Sequence, residues 1–334
     1  MASSSISKAE SAYIEVGLSE QPPQRLDGRA LTDYRAMSLE TGTAPLANGS
    51  ARLTIGRNPH DGSGGTEILA ATKLEVETNE DGGSDQGRVV CSVTCSPAAY
   101  PHLSSNALED LQHDLTTVIH TTLSHPSLHP DNLKIIPGKK SWLLSLDLVI
   151  LSDAGNIYDA LFMAARAALW DTKVPRTRFI EYKAKKGGPA SGGKGRDGMD
   201  VDETATSGFD TRKTNHATDF ELLDYWDEGE VLDGRERWPL CVTFNLVPKT
   251  HFLDATQVEE AVAVLKVLFI FASSSVQGMR MLGPGEVTSA QIKSLLKEAE
   301  THSRNISSAL DSKLKDEDVR RNQKASEAFS QQRR

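Results

Sequence analysis

Residues 141–170, SWLLSLDLVILSDAGNIYDALFMAARAALW, constrain this chain more than any other segment. Residues 141–151 are dense in leucine, valine and isoleucine, as in a strand covered on both faces. A tight turn, Asp153-Ala154-Gly155-Asn156, then leads into a helix over residues 158–170. Asn156 is the expected N-cap, its side-chain oxygen accepting from an orphan N–H of the first helical turn. A loop that feeds a helix N-terminus is a natural place to hold a phosphate. This turn offers no arginine or lysine, because Asn156 is followed by Ile157, Tyr158 and Asp159. The scaffold of a phosphate-handling site is present without its cationic grip.

With 334 residues the chain can bury a sizeable core as one large domain or two small ones. A formal net charge of -9 gives no global attraction to nucleic acid, so any RNA contact must come from a local patch. The acidic balance favours a subunit that relies on partners. Cys91, Cys95 and Cys241 show no CxxC spacing. Cys91 and Cys95, four apart on a strand, are expected on one face as small core residues, which suits a reducing compartment. The first residues lack the apolar core of a signal peptide, and no run approaches the ~20 apolar residues of a membrane helix. The expectation is a soluble, intracellular protein with no membrane contact.

Periodicity predicts a leading helix over 6–16, strands over 49–56, 66–77 and 87–96, and a helix over 106–123. Strands over 133–136 and 141–151 flank Pro137-Gly138-Lys139-Lys140. Further strands are expected over 177–182, 240–247 and 276–282, and a last amphipathic helix over 289–303 places Ile292, Leu295 and Leu296 inward. Residues 262–273 fit strand or helix by pattern alone. Residues 183–217 are low in complexity, with five basic residues and no acid in 183–196, then five acids and no base in 197–210. They are expected to be a disordered insertion, too poor in apolar surface to offset the entropy of ordering. Residues 188–194 (GPASGGK) come near a P-loop, but Gly195 stands where a Ser or Thr should hold magnesium, so the match is rejected. His125 and His129 lack companions at metal-ligand spacing, and no nucleophile elbow is present.

A set of motifs in register adds to this reading. Arg25-Leu26-Asp27-Gly28-Arg29 and Asp33-Tyr34-Arg35 precede the strands GSARLTIG and TEILAATKLEVE; the strand–turn–helix and residues 238–256 (WPLCVTFNLVPKTHFLDAT) follow. Over about residues 7–299 this order resembles the RNase PH family, and more narrowly the ring subunits of the eukaryotic RNA exosome. The resemblance implies an α/β (α+β) fold of RNase PH type, mixed β-sheets packed with α-helices, and favours a strand for residues 262–273. It divides the chain into a helix and linker (1–24), an RNase PH-like domain (25–303) carrying the insertion 183–217, and a charged tail (304–334).

Active members of that family move an RNA 3′ end to phosphate or water, and the resemblance implies three requirements for doing so. An arginine must follow the glycine of the turn, where this chain reads Gly155-Asn156-Ile157. An aspartate is needed roughly ten residues beyond the Asp254 position, where Val264 or Leu265 stands. Arginines are needed on the strand before residues 95–97, where Val90 and Ser92 stand. Isoleucine cannot bind phosphate, and valine cannot act as acid, base or metal ligand. The expectation is therefore no catalytic residue, no cofactor and no metal.

The partners implied are other RNase PH-like subunits in a hetero-hexameric ring, S1/KH-type cap subunits, associated exoribonucleases, and RNA passing through the channel. Arg88, Lys139, Lys140 and the basic run 183–196 are the candidate RNA-path residues. The edges of strands 66–77 and 262–282 are candidate interfaces. The implied locations are nucleus, nucleolus and cytoplasm. The alternative readings are an active phosphorolytic 3′-to-5′ exoribonuclease and a free-standing RNA-binding module; the acidic charge and the lack of an aromatic stacking pattern argue against the latter.

Overall fold

The computed structural model describes residues 6–57, 64–78, 87–180, 219–223, 229–273 and 275–332. Helix α1 (Lys8–Ser19) starts at Ser7, whose hydroxyl accepts the Glu10 N–H. Strands β1 (Met37–Thr41), β2 (Gly49–Ile55), β3 (Thr66–Thr78) and β4 (Arg88–Cys95) follow. Helix α2 (Ser105–Leu123), capped by Ser104, leads to β5 (Lys134–Ile136), β6 (Lys140–Ser152) and helix α3 (Ile157–Asp171). Four short strands come next, β7 (Lys173–Val174), β8 (Thr177–Ile180), β9 (Asp219–Leu222) and β10 (Glu230–Val231). The chain closes with β11 (Leu240–Val247), β12 (Thr250–Phe252), α4 (Gln257–Val262), β13 (Leu265–Ala272), β14 (Ser275–Leu282) and α5 (Ser289–Gln332).

Two large sheets organise these elements. The first has the order β1-β2-β3-β6-β4, with β5 also paired to β6, and the second runs β12-β11-β13-β14. All pairings are antiparallel except β4 with β6, whose connection crosses over through α2. α3 is buried on every side, Tyr158 alone being partly exposed, because it packs against β2 and β3 of one sheet and β11 of the other. Its run of alanines lets the two sheets approach closely, while Leu161, Phe162, Leu169 and Trp170 fill the main core. A second core lies between the inner face of β11 and β13 and the start of α5, where Leu295 and Ala299 are buried.

The strand–turn–helix of residues 141–170 is present as expected, with one correction. β6 is covered on one face only. Trp142, Leu144, Leu146, Leu148 and Ile150 are buried, while Leu143, Val149 and Leu151 lie on the opposite face with the exposed Asp147. Apolar residues on both faces hid that alternation from the sequence pattern. Cys91 and Cys95 share the buried face of β4, and burial pushes their thiols up to about 12 and about 11. Residues 262–273 divide between the end of α4 and β13. α4 was announced by a signature the periodicity overlooked, a capping box in which Thr256 and Glu259 satisfy each other's backbone N–H groups.

The final helix does not stop at residue 303. α5 runs unbroken to Gln332, so the boundary expected between domain and tail falls inside one helix. Leu310 and Leu314 are buried in the main core, and Asp311 and Asp318 reach Arg166 and Trp170 of α3. The strand over residues 66–77 is also not an edge, since β3 lies between β2 and β6. The insertion 183–217, with its basic run, lies outside the described residues.

Candidate functional site

The turn between β6 and α3 is built from backbone conformations that need special residues. Gly155 has φ 95°, and a Cβ there would sit 2.4 Å from the Ala255 carbonyl oxygen. Asn156 follows in the left-handed region at φ 62°, a conformation asparagine tolerates better than most residues. Its side chain does not cap α3 as expected. Instead Nδ2 donates to Asp254 Oδ1 at 3.0 Å, fastening the turn to the segment after β12.

The N–H groups of Ala154, Gly155 and Asn156 each have an acceptor from the chain itself. Ala154 N–H donates to Thr66 Oγ1 (3.0 Å), Gly155 N–H to Asp153 Oδ1 (2.8 Å) and Asn156 N–H to Glu260 Oε1 (2.8 Å). The three turn donors that lead into this helix N-terminus are thus engaged, two of them by carboxylates. Glu260 is further neutralised by Lys266 Nζ at 2.6 Å.

Arginines stand close by, but they too are committed. Arg35 donates to the carbonyls of Ala154 (2.9 Å) and Gly155 (3.1 Å) and to both carboxylate oxygens of Asp254. Arg29 reaches Asp254 Oδ2 at 2.9 Å and Asp27 Oδ2 at 2.7 Å. Arg25 is fully buried and makes a two-point pair with Glu259, Nε to Oε1 at 2.9 Å and Nη2 to Oε2 at 2.6 Å. It also donates to the carbonyls of Leu253 (3.0 Å) and Asp254 (2.8 Å). Asp254 sits at φ 44°, a strained conformation for a non-glycine residue, its carboxylate held there by five N–H donors. Burial alone would raise its carboxyl, but hydrogen bonds and charge from Arg35, then Arg29, hold it below the usual range. Asp254 therefore contributes stability above its unfolded pKa, which is lost as pH falls through the lowered folded value.

Asp159, in the first turn of α3, behaves in the opposite way. Burial raises its carboxyl to about 7, although Thr243 donates to it at 2.7 Å and Tyr34 at 3.3 Å. A carboxyl that binds its proton more tightly when folded costs stability as pH rises from the unfolded value, near 3.8, to about 7. Asp159→Asn is therefore expected to gain on the wild type by a few kcal/mol between pH 5 and pH 8. Urea unfolding across that range checks this, and parallel pH profiles for the two proteins would refute it.

The other candidate residues are scattered. Arg88 is exposed at the start of β4 and pairs with Glu77 Oε1 at 3.2 Å. Lys140 pairs with Asp219 Oδ1 at 3.1 Å and lies over the Phe220 ring; Lys139 is exposed in the turn before β6. These three stand at the opposite end of β6 from the 153–156 turn. Val90 and Ser92 are half-buried on β4, with Ser92 Oγ donating to Asp147 at 2.5 Å. Val264 is 43% exposed before β13, and Leu265 is buried in the second core. No cluster of metal-ligating side chains occurs among the described residues, and no helix among them is long and apolar enough to cross a membrane. Sequence reasoning missed Glu260 and Asp254 as occupants of the turn, since contacts between residues 98 and 104 positions apart leave no local pattern.

Comparison with known proteins now places this architecture. Residues 33–175 match the 3′ exoribonuclease family, domain 1, the RNase PH domain. Two solved structures share the fold. The Archaeoglobus fulgidus exosome with RNA bound to the active site covers 89% of this chain and 96% of its own, at TM-score 0.62 and 19% identity. An archaeal exosome core covers 91% and 96%, at TM-score 0.60 and 18% identity.

Residues 33–175 thus resemble the RNase PH domain, and the chain has the mixed α/β fold seen in those exosome structures. Its narrower resemblance, to the ribosomal RNA-processing protein forty-two type, is supported by curated relatives of that name. An exosome complex exonuclease RRP42 of Dictyostelium discoideum is 29% identical over 225 residues, 53% of this chain and 66% of that protein. The exosome complex component Rrp42 of Saccharolobus islandicus is 35% identical over 151 residues, 45% of this chain and 52% of that protein. The chain thus spans between about half and two thirds of the length of these relatives.

Proposed function

We propose that this chain is a non-catalytic structural subunit of the RNA exosome core ring, supporting 3′-to-5′ RNA processing and degradation, including ribosomal RNA maturation, by associated nucleases. The observation that carries the non-catalytic part is the self-occupied turn. Thr66, Asp153 and Glu260 take its N–H groups, and Arg35 is spent on Asp254 and two turn carbonyls. A phosphate entering there would have to displace two carboxylates of the chain and would meet Ile157 rather than an arginine. The partners in this reading are other RNase PH-like subunits in a hetero-hexameric ring, S1/KH-type caps and attached exoribonucleases, in nucleus, nucleolus and cytoplasm. RNA would be guided by local cations such as Arg88, Lys139 and Lys140, because phosphate neutralisation supplies most RNA affinity.

The second reading, an active phosphorolytic exoribonuclease, is favoured by one observation, the word exonuclease in the name of the Dictyostelium relative. One experiment separates the two. The purified chain, given a 3′-hydroxyl RNA, inorganic phosphate and magnesium, is expected to release no nucleoside diphosphate. Phosphate-dependent release from a preparation free of other nucleases would overturn the non-catalytic reading.

A further inference from the structure

The open face of the first sheet bears a concavity at its β1 edge that plays no part in the ring-subunit reading. Met37, Ser38, Glu40, Arg52, Thr54 and Arg57 line a cavity of about 410 Å³ there. That volume falls in the range of small-molecule sites, ~300–1,000 Å³. Strand register gathers these side chains. Ser38 stands opposite Thr54 and Glu40 opposite Arg52, and residues two apart on a strand share a face. Leu39, between Ser38 and Glu40, turns the other way and is buried. Arg57 lies just beyond the end of β2, on the same rim.

The charges in this cavity are unevenly committed. Arg52 donates from Nε to Glu67 Oε1 at 2.7 Å and pairs with the same oxygen through Nη2, so these two groups neutralise each other. Arg57 and Glu40 are exposed, and neither makes an ion pair with any described residue. The lining thus offers a free guanidinium, a free carboxylate, the hydroxyls of Ser38 and Thr54, and a thioether. A simple anion would meet Glu40, and a simple cation would meet Arg57. A ligand that satisfies both has an anionic end and a donor-rich end. Ionised Glu40 can only accept, and among the nucleobases guanine alone offers adjacent N–H donors on one edge.

We propose that this cavity binds a guanine mononucleotide unit. Its phosphate lies on the open fork of Arg57, its N1–H and N2–H groups on Glu40, and its ribose by Ser38 and Thr54. Met37, 39% exposed, supplies a polarisable contact for the flat base. The assignment goes beyond the ring-subunit reading and does not depend on it. The unit occurs free or at the end of an RNA strand, and the cavity chemistry is the same for both.

The test titrates the full chain with guanosine monophosphate, adenosine monophosphate and inorganic phosphate. Affinity is read by calorimetry and location by backbone amide resonances. Guanosine monophosphate is expected to bind at least about tenfold more tightly than the other two and to shift amides of β1 and β2. Arg57→Ala should weaken it about tenfold. Glu40→Gln should remove most of the preference for guanine, because an amide accepts only through its oxygen. Both positions are exposed, so neither change should move the melting temperature. A short RNA beginning with a 5′-phosphorylated guanosine, run beside the free nucleotide, identifies the source by which of them binds more tightly. Equal affinity for inorganic phosphate, no discrimination against adenosine monophosphate, or shifts confined to the β6–α3 turn would each overturn the assignment. So would failure of both guanosine ligands to bind at millimolar concentration, and none of these outcomes touches the ring reading.

Discussion

A chain ended after Ser303 should fail to unfold cooperatively on heating and should elute as aggregate. The removed part of α5 looks dispensable in sequence, being charged and mixed in sign, yet it completes the main core. Truncation would expose the sites filled by Leu310 and Leu314, each worth roughly 1.5–3 kcal/mol. Arg166, buried on α3, would also lose the Asp311 carboxylate it grips at 2.8 and 3.1 Å. Leaving a buried cation without its partner costs about 3–5 kcal/mol. Trp170 would lose its acceptor Asp318 at 3.0 Å, and Asp171 its partner Arg321. Together these approach the ~5–15 kcal/mol by which a domain is ordinarily stable. Circular dichroism and size exclusion of the truncated chain check this, and a sharp transition near the wild-type temperature would refute it. The single change Asp311→Asn, which keeps the shape, should be milder and lower the melting temperature without loss of cooperativity.

The second large effect is expected at Arg25. Its guanidinium joins three separate segments: the one before β1 that carries it, the Leu253 and Asp254 carbonyls after β12, and Glu259 on α4. Both side chains of the Arg25–Glu259 pair are almost wholly buried. Arg25→Ala should therefore cost about 3–5 kcal/mol, because Glu259 is left charged and dry. Glu259→Gln should cost less, since an amide still accepts one hydrogen bond and carries no charge to strand. Combining Arg25→Ala with Glu259→Gln should cost clearly less than the sum of the separate changes, the mark of a direct pair. Urea unfolding of the singles and the double measures this, and strict additivity would show that the pair contributes nothing as a pair.

The candidate site was legible in part for definable reasons. The glycine and asparagine of the turn could be read locally, since each residue type is suited to the backbone it adopts. The missing arginine after Gly155 was equally plain. What could not be read was the replacement. Glu260 belongs to α4 and Asp254 to the segment before it, and only packing of α4 beside the β6–α3 turn brings their carboxylates to Asn156. A similar blindness affected the tail. Charge composition marks residues 313–332 as solvated, but a helix needs few apolar residues to dock when its acids and bases find partners on a buried neighbour.

Sequence by itself determined the order of the main strands and helices (though not β1, β9 or α4), the identity of the turn residues and the resemblance to the RNase PH family, because backbone propensity and short spacing are local properties. It also determined that β4 and β6 would supply core, through the paired cysteines of β4 and the apolar density of β6. Only the tertiary structure decided which face of β6 is open and where α5 ends its work. It alone decided that the turn N–H groups leading into α3 are taken by the protein's own carboxylates. Those outcomes depend on contacts between residues far apart in the chain, and no period of 2 or 3.6 residues carries them.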